Sequence, residues 1–288
     1  MNGLARLAWE IIVVDNNSQD DTGAVVEEFR TRAQVPVVRA FEAERGLSNA
    51  RNRGLREAKG ELLVFTDDDV VVDENWLMSI VGEFDADAAL SLIGGRVELY
   101  DPRDQPVTIR TSRERTLFFC AGQLFSLLPG CNMALHRRVC EAVGWFDAGL
   151  GAGMATQAAD DSDYCYRVFK AGFKMMYCPD VLVYHNHGRR TDEQVRDLRR
   201  GYVIGRGAFY CKHILRGDVE ILRMAGKEVV SLMRALARQL LCVRFSVKEM
   251  AMLRSLLLGA VYRVGTEWRM LLERGRTSGN IRRVQGVL

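Results

Sequence analysis

Short β-branched and aromatic runs recur between longer amphipathic stretches in the first third of the chain, and this alternation restricts the fold more than any other feature. The runs IIVV at 11–14 and LLVF at 62–65 are apolar on consecutive positions, so both faces of each strand must be covered, as helices on either side of a sheet would do. Strands are expected at residues 10–15, 35–40, 61–66 and 90–99, and helices at 22–32, 47–59 and 74–84. This is an α/β pattern of strand–helix–strand units that build a parallel sheet. Asp15 and Asp67 then end two of the strands, where open α/β sheets bind their ligands. Residues 99–130 read as irregular and polar. The segment 129–135, a helix at 137–143, a Gly-rich loop at 149–153, a helix at 160–172 and short strands at 173–178 and 181–185 follow.

A chain of 288 residues, 48% of them apolar, can bury a substantial core. Its net charge of +3 conceals two opposite halves. Residues 1–188 carry 28 Asp+Glu against 19 Lys+Arg, whereas residues 189–288 carry 9 against 21. An acidic body suits a metal ion, and a basic tail suits an anionic surface such as phospholipid headgroups. No basic, aromatic-interleaved stripe marks a nucleic-acid interface in the acidic part. Seven cysteines, Cys120, Cys131, Cys140, Cys165, Cys178, Cys211 and Cys242, form no C-x-x-C pair. That pattern favours reduced thiols in a cytosolic protein over a disulfide frame or a zinc site. The opening MNGLARLAWE has no stretch of signal-peptide type, and no apolar run approaches the roughly 20 residues of a spanning helix, so a cytoplasmic location is expected.

Three carboxylates, Asp67, Asp68 and Asp69, follow the strand in VFTDDDVVVDENW, where their like charges repel. Mg²⁺ or Mn²⁺ would relieve that repulsion and share its remaining positions with substrate phosphates; a solvated acidic turn is the plainer alternative. In ADDSDYCYRVFKAGF, Asp160, Asp161 and Asp163 open a helix, where the macrodipole favours negative charge. One of them suffices as a cap, and a carboxylate beside a substrate could instead accept a proton from a substrate hydroxyl. His185 ends the last short strand, with His187 close behind; each reads as a packed side chain or as a metal ligand. The P-loop, dinucleotide-binding, zinc-protease and serine-esterase motifs are absent from the sequence.

In order, EIIVVDNNSQDDT, GLSNARNRGLREAKGELLVFTDDD, GCNMALHRRVCEAVGWFDAGLGAG and DDSDYCYRVFKAGFKMMYCPDVLVYH resemble the family 2 glycosyltransferases from about Trp9 to His187. The resemblance implies a GT-A fold, a Rossmann-like mixed sheet flanked by helices, here with a C-terminal helical extension. It implies a nucleotide-diphospho-sugar donor, a glycan or lipid-linked acceptor, Mn²⁺ or Mg²⁺, and transfer with inversion. By resemblance Asp15 holds the nucleotide base, with Asn17 in the same turn and Arg51 beside it. Asp67 and Asp69 coordinate the metal with His185, and Asp68 lies by the sugar-nucleotide. Gly130 and Asn132 line the donor-sugar side, Asp160 stands in place of the family's Glu, and Asp161 is the catalytic base. Family members ordinarily begin with a further strand and helix before the one at residue 10, so an N-terminally truncated catalytic domain is expected at 1–188. A non-catalytic sugar-nucleotide-binding or scaffolding protein is the alternative reading.

Residues 189–288 are expected to form a basic helical extension. On a helical wheel Arg223, Lys227, Arg234 and Arg238 cluster opposite Leu222, Val229, Leu236 and Leu240. Two readings stay open: a helix packed on the catalytic body with a solvated basic face, or one lying on an anionic membrane surface, peripheral at the inner face of the plasma membrane.

Overall fold

A computed structural model describes residues 7–241 and 247–284, so Cys242 lies outside the described residues, as does the side chain of Leu240. The chain divides into two compact units, one of Met1–Gly153 with Asp160–Leu198 and one of Met154–Ala159 with Arg199–Leu288.

In the first unit the apolar runs form strands β1 (Ile11–Asp15), β2 (Val37–Phe41), β3 (Leu62–Thr66) and β5 (Leu90–Leu99). Helices α1 (Thr22–Arg32), α2 (Leu47–Glu57) and α3 (Trp76–Ala86) lie between them in sequence. Beyond them come β7 (Asn132–His136), α4 (Arg137–Val143), α5 (Asp160–Lys170) and β8 (Lys174–His185).

The expected parallel sheet is corrected. β1 and β2 make a two-stranded parallel sheet of their own, and β3 does not neighbour β5. β7 runs antiparallel between them, so the six-stranded sheet is mixed, and β5 with β8 is its parallel pair. Apolar residues on both faces of a strand report double coverage, which a mixed sheet provides equally. Two short strands went unread: β4 (Val70–Val72) and β6 (Thr116–Phe118), which both pair antiparallel with β8. β6 falls in the stretch expected to be irregular; three residues are too few for alternation to register.

The two strands expected at 173–178 and 181–185 are one strand. It stays paired with β5 across a bulge, where Gly95 faces Cys178 and Arg96 already faces Leu182. Gly95 makes the bulge possible, since a Cβ there would collide with the Val181 carbonyl and the Asn132 amide. The core beneath joins Ile80 and Phe84 of α3 to Leu90, Ile93 and Val97 of β5 and to Val181 and Val183 of β8.

The second unit is helical: most of α6 (Asp192–Leu215), then α7 (Val219–Leu241) and α8 (Val247–Val284). α6 and α8 cross backbone to backbone. A Cβ on Gly207 would strike the carbonyl of Leu256, and one on Gly259 the carbonyl of Ile204. On α7, Leu222 and Val229 of the expected apolar face are exposed, while Ile221 and Leu232 are buried. A single-helix wheel locates apolar arcs but does not say which arc a neighbouring helix covers.

Candidate active site

α2 buries a polar face. Ser48, Arg51 and Asn52 share one side of the helix and are all buried. Ser48 Oγ donates to the Leu150 carbonyl (2.8 Å), and Asn52 exchanges two hydrogen bonds with the backbone of Phe146. These bonds fix the Gly-rich loop before α5.

Arg51 is the hub of the cluster. Its Nη1 donates to Asp160 Oδ2 (2.5 Å), and its Nη2 reaches Asp67 Oδ1 (3.4 Å) and the Gly130 carbonyl (3.2 Å). The guanidinium also lies 5.4 Å from the Phe146 ring centroid. Burial works against the Arg51 charge, but Asp160, Asp67 and Asp161 outweigh it and raise its pKa. Burial raises Asp160 and Asp67 as well, with Arg51 opposing it in each case. One guanidinium therefore joins the end of β3, the loop before β7 and the start of α5.

Asp161 is half-buried beside it, and its Oδ1 accepts the Ser162 N–H (2.6 Å). A Cβ on Gly130 would lie 2.7 Å from Asp161 Oδ2 and 2.9 Å from its Cβ, so only glycine lets this carboxylate stand where it does. Gly151, at φ +107°, likewise leaves room for Asp160. Burial, with Asp67 the largest charge acting on it, pushes the Cys131 thiol up to about 12, so this residue remains a neutral thiol.

The register of β4 on β8 pairs Val70 with His185, which sets Asp69 beside the imidazole. Asp69 Oδ1 lies 3.2 Å from His185 Nε2. The hydrogen bond from His185 holds Asp69 below the usual carboxylate range. Burial opposes protonation of His185, but its bond to Asp69 outweighs that and raises its pKa. The other ring nitrogen, Nδ1, lies 3.0 Å from Thr108 Oγ1. Thr108 has φ +56°, an uncommon conformation for a β-branched residue and a sign of local backbone strain. Asp69 also raises the Asp67 pKa, which links this pair electrostatically to the Arg51 cluster. The Asp68 side chain is exposed.

Asp15 sits at a second station, at the end of β1. Its Oδ1 accepts the Ser18 N–H (2.9 Å) and its Oδ2 pairs with Arg39 (3.1 Å). The Ser18 bond, against the effect of burial and with the help of Arg39, lowers its pKa. Asn17 adopts φ +60° in the same turn and donates to the Ala43 carbonyl (3.3 Å). Asn16 ties that turn to the next loop, donating to the Glu42 and Glu44 carbonyls and accepting from Gly46 N–H.

Asp67, Asp69, Asp160, Asp161, Gly130, Arg51 and His185 are thus brought into one connected group. Arg51 bonds Asp160, Asp67 and Gly130, and the cation bonded to Asp15 is Arg39. Both amide hydrogens of Asn132 are committed inside the sheet, to the Arg96 and Val181 carbonyls, and its oxygen accepts from Trp76 Nε1. Sequence reasoning missed Asn16, Arg39, Ser48, Asn52 and Thr108. Of these only Ser48 and Asn52 carried a signal, through their one-turn spacing around Arg51.

The sequence model of glycosyl transferase family 2 matches residues 2–144. The glycosyltransferase AglE of Haloferax volcanii is 28% identical over 183 residues, covering 62% of this chain and 56% of its own length. The pre-mycofactocin glycosyltransferase of Mycobacterium tuberculosis is 29% identical over 173 residues, 58% of this chain and 33% of that protein. The chain thus spans little more than half of the first of these relatives and a third of the second. Among solved structures, the mannosyltransferase PcManGT from Pyrobaculum calidifontis, in complex with GDP-Man and Mn²⁺, superposes with a TM-score of 0.56 at 20% identity, over 88% of this chain and 77% of that one. The chain belongs to glycosyl transferase family 2 and has the GT-A fold.

Proposed function

We propose that this chain transfers a sugar from a nucleotide-diphospho-sugar to a hydroxyl of a glycan or lipid-linked acceptor, inverting the anomeric carbon. The observation that carries this reading is the hub at Arg51, which gathers carboxylates from β3 and α5 around one cation. Asp161 is the base. It stands half-buried against Gly130, next to a residue anchored by Arg51, and takes the acceptor's proton as that oxygen attacks the face opposite the diphosphate. In this reading Asp15 and Asn17, in the turn after β1, take the nucleotide, Arg51 and Asp160 keep the donor side in register with Asp161, and the exposed Asp68 contacts the sugar-nucleotide.

Asp69, His185 and Asp67 are the residues that would hold a divalent ion, Mn²⁺ or Mg²⁺, together with the donor diphosphate. Among the described residues no group of three or more His, Cys, Asp or Glu side chains is placed to hold a metal ion by itself. Such ions are commonly held by one or two protein carboxylates while diphosphate oxygens and water complete the shell, so an open set of this kind suits one that arrives with its nucleotide. When bound, the ion offsets the charge growing on the departing diphosphate. The complex of PcManGT with GDP-Man and Mn²⁺ supports this part of the reading. A cytoplasmic position at the inner face of the plasma membrane is a further part, supported by the basic sequence of residues 189–288.

Incubation of the protein with Mn²⁺ and a panel of UDP-, GDP- and dTDP-sugars tests the proposal. Asp161→Asn is expected to lower transfer by at least about 100-fold, while calorimetric binding of the nucleotide is retained. Turnover equal to the parent would remove Asp161 from the mechanism, and nucleotide binding without transfer in the parent would leave a scaffold.

A further inference from the structure

The second unit exposes two apolar stripes that its own packing leaves uncovered. On α8, Met250, Leu257, Val261, Val264 and Trp268 are exposed, Val261 at 65% and Trp268 at 62%. At 100° per residue they fall within about 60° of one another. Ser255, Leu256 and Arg263, on the other side of the helix, are buried. On α7, Leu222, Val229 and Met233 form a second exposed stripe about 40° wide, while Ile221 and Leu232 pack inward.

Charge selects the partner. Arg223, Lys227, Arg234 and Arg238 are exposed on a separate face of α7, about 100–160° round the helix from the centre of the stripe. The one acid between Leu222 and Arg238 is Glu228, which accepts from Arg206 (2.8 Å) and Tyr210 (2.6 Å) within the unit. Exposed Arg254 and Arg269 flank the α8 stripe. The one acid between Met250 and Met270 is Glu267, which is held by buried Arg263. In both stretches the acid is engaged within the unit and the exposed charged residues are all cations. A second copy seated on either stripe would set cations against cations, whereas acidic headgroups over an acyl layer match both the charge and the apolar side chains.

We propose that this unit docks on an anionic bilayer, with the two stripes seated at the headgroup–acyl boundary and the exposed Arg and Lys side chains of the two helices reaching for lipid phosphates. Trp268 is the residue type that favours that depth. No helix among the described residues is long and apolar enough to cross a membrane, and stripes of this kind lie along the interface instead. The inference deepens the peripheral position proposed above and is independent of the transfer chemistry.

Flotation of the full chain with phosphatidylcholine vesicles, with and without phosphatidylglycerol, tests it. Binding to the anionic vesicles is expected to weaken by at least about tenfold on neutral vesicles or in about 1 M salt. Brominated acyl chains should quench tryptophan emission, and Trp268→Phe should remove most of that quenching. Val261→Asp and Arg234→Glu are each expected to weaken binding several-fold with unchanged thermal melting. The proposal is overturned by failure to bind anionic vesicles, by equal binding to neutral ones, or by a lipid-free dimer that Val261→Asp dissociates. Asp161→Asn should bind as the parent does, so failure of the transferase reading leaves this result readable.

Discussion

A guanidinium buried between two carboxylates is tolerable only while the charges offset one another, which makes Arg51 costly to remove. Arg51→Met is expected to destabilise the fold by about 3–5 kcal/mol, measured by urea unfolding, because it strands Asp160 and Asp67. Thr108 acts on His185 through one hydroxyl and a strained backbone. Thr108→Val keeps the strain and loses the bond, so the apparent affinity for Mn²⁺ in the presence of donor should fall by about tenfold, read by the Mn²⁺ spin-resonance signal. Asp15 has a lowered pKa, so its contribution to stability is complete above its unfolded value near 3.8 and is lost as the pH falls through the lower folded value. Arg39→Met should therefore destabilise the protein at neutral pH, and the difference from the parent should shrink as the pH falls through the lowered Asp15 value, as thermal melts over acidic pH would record. The acidic residues of the site were legible because like charges cluster in the sequence for few reasons. Arg39 and Thr108 were not, because each acquires its partner across long sequence separations, 24 residues to Asp15 and 77 to His185.

At the scale of elements, α1, β5 and α4 fall where the apolar pattern puts them, and β8 does not. Pro179 and Asp180 read as a break between strands; the chain instead bulges against Gly95 and continues, a choice made by the partner strand and not by local propensity. The segment that forms β7 stands out in the sequence, but its insertion between β3 and β5 does not, because pairing order is absent from any one segment. Two glycines test these elements differently. Gly95→Ala is expected to lower stability by about 1–3 kcal/mol or more, by overpacking the bulge. Gly130→Ala pushes directly on Asp161, so its loss should appear in the rate of transfer while the melting temperature changes little.

At the scale of the molecule, the first unit holds two separate sheets. The pair β1–β2, which carries Asp15, is a two-stranded sheet, and such sheets are marginal by themselves. Its amides are expected to exchange with solvent at least about 100-fold faster than those of β5 and β8, by hydrogen–deuterium exchange. In the second unit, the crossing of α6 and α8 rests on Gly207 and Gly259, with carbonyl oxygens where side chains would stand. No side chain at such a contact can be trimmed or exchanged to compensate for a change opposite it. Across evolutionary time the two positions should therefore drift as one: lineages that keep this crossing retain both glycines, and lineages that lose one have re-angled the helices, although neither residue ever meets a sugar.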